Sequence, residues 1–543
     1  MIKRLKFLAV AIVFTTLLLP VTLHAQTQVP PGYLRVGLGG AANQIESRSP
    51  SLDVFLSIGT EFLNMGTITG AETFRLVADN YYYVFGGHVI DGFQAASQLA
   101  SGPNSIAALS GSWSVYVGPF TSEADALAHT GESFGALRPP TGRRVALYSG
   151  WQRIALFDNY LHIAYFADSR GEMININGYD YRGYLTAHRI GSNVVPVNVI
   201  HIEDYLLSVV PSEMPAGWPL HALKAQAVAA RSYAHTTVGV HSERGYDLCA
   251  TVCCQVYLGI RQESERSTEA VRATRSIVAL HNGEIINAVY SSSSGGITDN
   301  SENVWQEALP YLRSVADTHD TTGREWSRTF TRTQLTQIAA VNNAGIGTVQ
   351  SVRIEPSQTG RVQRLILVGD SGQVALEREA IRTFFAPSAG GSLYSRVFRI
   401  DSFSTSVGGG TATQPSPQGA NVFVANGTTP ELRDMSGLRI LDGSGALAPL
   451  TSGNVHVQTA DGIRVLNPVG AGSTPVSTSQ DFQISGGLSS SNYTITFIGR
   501  GWGHGVGMSQ HGARGMAYAG YTFEQILMHY FRGITLGIRE DFE

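Results

Sequence analysis

Three prolines and a glycine crowd the nine residues from Pro211 to Pro219, and they surround a single acid, Glu213. Immediately afterwards Leu220 to about Thr237 runs with helical spacing, placing Lys224, Gln226, Arg231 and Tyr233 at its polar positions. Proline lacks the N–H that a helix interior needs, so this spacing predicts an irregular stretch followed by a strong helix. A lone carboxyl on a stiff loop against a helix suits a general acid/base in a cleft. It equally suits an acid that stabilises the N-terminus of the following helix. Within that helix, Leu220, Leu223, Ala227 and Ala230 form a stripe expected to face the core.

The chain opens with Lys3, Arg4 and Lys6, then an apolar run from Phe7 to Leu19 broken by Pro20. Leu23-His24-Ala25 offers a cleavage site, so residues 1–25 read as a secretory signal peptide, with an uncleaved anchor as the alternative. The expected product is exported, secreted or extracytoplasmic, with no membrane span after cleavage. The formal charge is −4; loss of three cations would leave about −7. That balance argues against nucleic acid as a partner. At 543 residues and 43% hydrophobic composition, more than one globular unit is expected.

All three cysteines, Cys249, Cys253 and Cys254, fall within six residues. In an exported chain this reads as a disulfide with one thiol left over. A metal site built on Cys249 and Cys254 with His241 or His235 is the alternative.

Residues 26–71 read as a lead-in, with one strand at Tyr33–Val36. Strands are expected at Phe74–Val77, Tyr81–Phe85 and Trp113–Phe120, and helices at Phe93–Ala100 and Ser122–Ala128, capped by Thr121 or Ser122. This alternation over 72–138 resembles the SPOR domain, which implies a small α/β fold binding peptidoglycan glycan strands. From Arg144 to about Phe403 the pattern is mixed α/β, with helices at Ile202–Val209, after Pro219 and at Ser267–Thr274. Between 405 and 490 Gly, Ser, Thr and Pro dominate, as expected of a linker with a small β insertion.

Four blocks carry chemistry. They are Glu203-Asp204-Tyr205 running through Ser212-Glu213-Met214-Pro215 to Tyr233; Asp247–Tyr257; Tyr290–Thr298 with Trp305; and Gly499–Ala513. In order and spacing they resemble the SpoIID/LytB family of exported bacterial proteins. The resemblance spans 140–404 and returns at 491–543, so the whole is expected to be α+β: a SpoIID-type catalytic domain preceded by a SPOR-like domain and interrupted by the β-rich insertion.

The resemblance implies a peptidoglycan lytic transglycosylase, with Glu213 as its essential acid and a cell-wall amidase as a possible partner. A non-catalytic amidase enhancer or wall-binding scaffold is the rival reading. No cofactor is required for such chemistry. Substrate contacts are expected from Lys224, Gln226, Arg231, Tyr233, Gln255, Tyr257, Ser294, Gly295, Gly296, Thr298, Trp305, His504 and Gln510. The bland readings are a plain hairpin turn at Ser294–Gly296 and a buried, hydrogen-bonded His504. Glu203 and Asp204 rival Glu213, but capping or pairing with arginine suits them better. Some family members hold zinc near the second block. Cys249 and Cys254 match its usual cysteines, with His241 as third ligand, whereas Cys253 stands where a His is common. Such a zinc would be structural.

Overall fold

The computed structural model describes residues 29–539 apart from 59, 71–72, 90–91, 103, 130–135, 160–161, 172, 322–323 and 358; between 406 and 492 it describes only strand backbone. The expected leader, residues 1–25, lies outside the described residues. The fold is α+β and forms two compact units. The first holds 29–31, 41–171 and 185–195; the second holds 32–40, 173–184 and 196–539 of the described chain.

In the first unit eight strands form one sheet. Their order is Gln44–Ser47, Phe74–Ala78, Arg144–Ser149, Gln152–Asp158, Ser105–Ser110, Ser112–Phe120, Tyr82–Val89 and Leu137–Arg138. Helix α1 (Gly92–Leu99) packs on the strands Ser105–Ser110 and Ser112–Phe120. Helix α2 (Glu123–Ala128) starts where Ser122 accepts a hydrogen bond from the Asp125 N–H, as a cap should.

The expected strands and helices across 72–138 are present, but Ser105–Ser110 adds a strand between α1 and Ser112–Phe120, Leu137–Arg138 adds one after α2, and the sheet runs on past 138. Arg144–Ser149 pairs with Phe74–Ala78, and Gln152–Asp158 pairs with Ser105–Ser110. Those two strands join Phe74–Ala78 to Ser105–Ser110 within one sheet, so the sheet does not end at residue 138. Trp113, 1% exposed, packs between Phe93 and Phe157 and is core rather than a ligand surface.

The lead-in also needs correction. Ser51–Ile58 and Glu61–Thr69 form an antiparallel hairpin. The signal was legible, since Leu52, Val54 and Leu56 alternate and are all buried.

The second unit contains the remaining helices. Tyr33–Gly37 pairs antiparallel with the end of Asn193–His201 and parallel with Leu248–Cys249. Helices α3 (Ile202–Glu213), α4 (Leu220–Thr236) and α5 (Glu265–Arg272) pack on one another. Leu223, Ala227 and Ala230 are core as expected, but burial extends around most of α4, from Ala222 to Ala234. A helix buried on most sides sits at the centre of its unit.

Beyond it lie α6 (Arg332–Val341), opened by a capping box between Thr331 and Gln334, and the short α7 (Ala380–Thr383). The chain returns at Tyr493–Arg500, which forms the middle strand between Trp326–Thr331 and Val397–Thr405. Helices α8 (Gln510–Tyr518) and α9 (Phe523–Tyr530) then pack against α4.

Candidate active site

Helix α3 runs further than its sequence suggests. Pro211 lies inside it, and Glu213 is its last residue. The proline forfeits one backbone hydrogen bond, but the turn is held by Ser212 Oγ donating to the Ser208 carbonyl at 2.7 Å and Met214 N–H donating to Val210 at 2.9 Å. Pro215 and Pro219 do interrupt the chain, and α4 begins after them. Glu213 therefore stands at a helix C-terminus, not on an irregular loop and not at a helix N-terminus. Carbonyl dipoles at that end disfavour a negative charge.

Two donors from distant segments meet its carboxylate. The Val256 N–H donates to Oε1 at 2.9 Å, and Gln510 Nε2 donates to Oε2 at 3.2 Å. Burial raises the Glu213 pKa above the usual range, while these two hydrogen bonds pull it back. Tyr205, Tyr233 and Tyr290 surround it, and burial keeps their hydroxyls neutral. Among the expected wall residues, Met214 is fully buried, and Trp218 packs on His511 and beneath Arg514.

The expected substrate residues divide. Gln510 reaches Glu213, and Gln226 Oε1 lies 3.5 Å from Gln510 Nε2. Burial, then the charges of the cysteines and Glu213, raise the Tyr233 pKa. Lys224 is half-buried on α4. Trp305, 39% exposed, keeps a surface open beside His504.

Several others serve the fold. Arg231 is fully buried in a bidentate ion pair with Glu203, at 2.7 and 2.8 Å, so neither is free for substrate. Gln255 is spent between Tyr205, Tyr290 and the Ala230 carbonyl. Tyr257 is buried and donates to Asn198 at 2.7 Å. Ser294 is buried and donates to Asp317 at 2.6 Å, and Thr298 is buried and accepts from the Val315 N–H. Gly295 and Gly296 adopt φ of +74° and +108°. A Cβ on Gly295 would come within 3.1 Å of the Arg500 backbone, so what approaches this turn closely is the chain itself.

His504 does not bond Glu213 in this arrangement. Its Nδ1 accepts from the Val506 N–H at 3.0 Å. Burial and the nearby Arg382, Arg361 and Arg396 push it down to about 3, so the ring is neutral. The ring is half-buried and packs beside Trp305 at 5.2 Å.

Some contributors had no sequence signal. Val256 acts through its backbone, which any residue could supply. Asp317 and Asp320 are buried under the serine-rich turn, where burial and the second carboxylate push Asp317 up to about 6. Trp502, 41% exposed and stacked on Tyr394 at 4.1 Å, is a second open aromatic surface.

The cysteines are free thiols. Cys249, Cys253 and Cys254 lie with His241 so that one ligand atom from each falls within 4.8 Å of all the others. A tetrahedral zinc with bonds of about 2.3 Å separates its sulfurs by about 3.8 Å, so the set fits such an ion. Burial pushes the Cys254 thiol up to about 12, a cost that a bound cation would offset. His241, rather than His235, completes the group, and Cys253 belongs to it.

Residues 191–281 match the model of a family described as stage II sporulation protein, SpoIID. Over 334 residues the chain is 32% identical to the amidase enhancer of Bacillus subtilis (strain 168), covering 61% of this chain and 40% of that protein. It is 39% identical over 141 residues to an uncharacterized protein of Brachyspira hyodysenteriae, covering 26% and 38%. Stage II sporulation protein D of Bacillus subtilis is 26% identical over 363 residues, covering 64% of this chain and 77% of that protein. The chain thus spans less than half the length of the first two relatives.

Proposed function

We propose that this chain is an exported peptidoglycan lytic transglycosylase of the SpoIID/LytB family, acting in cell-wall remodelling or sporulation. The observation that carries the reading is the environment of Glu213. A buried carboxyl with a raised pKa, at a helix C-terminus, keeps a proton to higher pH than an exposed acid would.

Such a group can act twice. As an acid it gives its proton to the glycosidic oxygen as the bond from C1 of N-acetylmuramic acid to N-acetylglucosamine breaks. As a base it then takes the proton of the muramoyl C6 hydroxyl while that oxygen bonds to C1, leaving a 1,6-anhydro end. No water enters, and one carboxyl suffices, whereas hydrolysis by the usual route needs two. One rival acid, Glu203, is bound by Arg231. Trp305 and Trp502 offer open aromatic surfaces on which sugar rings could pack.

Zinc bound by His241, Cys249, Cys253 and Cys254 would be a closed structural tie. Those residues would fix the segment that carries the Val256 N–H to Glu213. Among the described residues, no helix is long and apolar enough to cross a membrane.

The relative named amidase enhancer favours a second reading, a glycan-binding protein that stimulates a cell-wall amidase. Mass spectrometry of fragments released from purified peptidoglycan separates the two. Anhydro-muramoyl ends support the transglycosylase. Reducing ends would make it a hydrolase, and no release would leave the enhancer.

A further inference from the structure

Gln226 is fully buried on α4, and its Nε2 has no hydrogen-bond partner. Its Oε1 faces Gln510 Nε2 at 3.5 Å, and that same nitrogen faces Glu213 Oε2 at 3.2 Å. Both amide hydrogens of Gln510 are thus directed at acceptors, an arrangement suited to an ionised Glu213. It leaves the Gln226 amide unsatisfied in a dry place, which costs as much as a lost hydrogen bond.

A proton on Oε2 reverses the demand. An O–H and an N–H would then face each other. A half-turn of the Gln510 amide puts its oxygen where the nitrogen was, able to accept from Glu213. That oxygen would oppose Gln226 Oε1 unless Gln226 turned as well. With both turned, the Gln510 oxygen accepts from Glu213 and from Gln226, and the orphaned N–H has gained its partner. The amide oxygen and nitrogen are nearly equal in size, so packing does not oppose the exchange.

We propose that Gln226 and Gln510 form a paired-amide switch that follows the protonation of Glu213, giving the carboxylate and the acid each a hydrogen-bonded arrangement of its own. They are positioning residues, and the proposal rests on the reading of Glu213 as the acid/base.

The titratable groups around Glu213 leave room for this. Tyr205 on α3, Tyr233 on α4 and Tyr290 are held neutral by burial. Cys254 faces Tyr205 and Tyr233, and its thiol is raised as well. On α8, burial and Arg324 lower His511, whose Nε2 accepts from Arg324.

The test titrates the Glu213 carboxyl in the full chain by infrared difference spectroscopy, with Glu213→Gln as the blank. Gln226→Leu removes the orphaned donor of the ionised arrangement and the bond that completes the protonated one. Both effects favour the carboxylate and outweigh the loss of the 3.5 Å contact from Gln510 Nε2 to Gln226 Oε1, which lies at the limit of hydrogen-bonding distance, so the midpoint should fall by roughly one pH unit. Gln226→Met, closer in shape, should shift it the same way if leucine fails to fold. In a Gln510→Met background the Gln226 change should no longer move it. A fixed donor at Gln510 predicts instead a rise or no change, and either result overturns the switch. The midpoint needs no turnover. Failure of the acid/base reading would appear separately, as undiminished product release by Glu213→Gln.

Discussion

Gln510 Nε2 donates to Glu213 Oε2 at 3.2 Å, although the two residues stand 297 positions apart in the sequence. One hydrogen bond thus ties the first residue of α8 to the last residue of α3. The terminal segment completes the carboxyl's surroundings, and its strand Tyr493–Arg500 supplies the centre of a three-stranded sheet. Phe497 and Ile495 of that strand are fully buried in the core around Phe330, Phe385 and Leu365.

Thr405 and Tyr493 are paired residues on neighbouring antiparallel strands. The ends of the 405–490 segment are therefore close enough for a tight turn to join them. Replacing 408–488 with a short Gly/Ser linker should give a soluble, active chain, at the cost of the edge strand Gln480–Phe482. A chain ending at 405 should fail to fold, having lost a central strand. Circular dichroism and thermal melting distinguish the two, and a cooperative transition in the truncated chain would contradict this architecture.

Glu213→Gln should keep the fold and glycan binding but lower the release of anhydro products by about 10²-fold or more. In the native protein the rate should fall as pH rises through the raised pKa, because the first step needs the acid form. Stability moves with it. A carboxyl whose pKa is higher when folded contributes fully below its unfolded value of 4.5 and loses that contribution as pH climbs through the folded pKa. Glu213→Gln should therefore melt higher than wild type at neutral pH and lose the advantage in acid. Parallel melting curves at every pH would show that burial does not strain this group.

Arg231→Ala should be severely destabilising, by about 3–5 kcal/mol, because it leaves Glu203 buried without its partner. Replacing both by methionine should recover much of the loss. Urea unfolding of the single and double variants measures this. A mild single variant with weakened glycan binding would return Arg231 to the substrate.

If the Cys/His set holds zinc, metal analysis should find about one equivalent, and chelation should lower the melting temperature. Cobalt substitution should give thiolate charge-transfer bands that weaken in Cys253→Ser. Metal-free protein with an intact disulfide by mass mapping would exclude the site.

Local signals fixed much of this protein. Helical spacing located α4, alternation located several strands such as Phe74–Ala78 and Ser112–Phe120, and composition set off the 405–490 segment. Clustering alone brought out the cysteines, because three thiols within six residues can hardly lie apart. The lone acid among prolines drew notice to Glu213, yet its surroundings were not legible there. Proline propensity argued against a helix at 211, and packing overrode it, since one lost hydrogen bond is small beside the buried contacts of α3. The polar positions of α4 did not reveal that Arg231 pairs inward with Glu203 while Gln226 turns toward Gln510. Those assignments depend on which segments meet, and only the tertiary structure brings Val256 and Gln510 to the two oxygens of one carboxyl. Sequence pattern encodes which face of an element is apolar; the partners of a buried polar group are set by the close packing of distant segments, where each donor must find the acceptor that geometry leaves it.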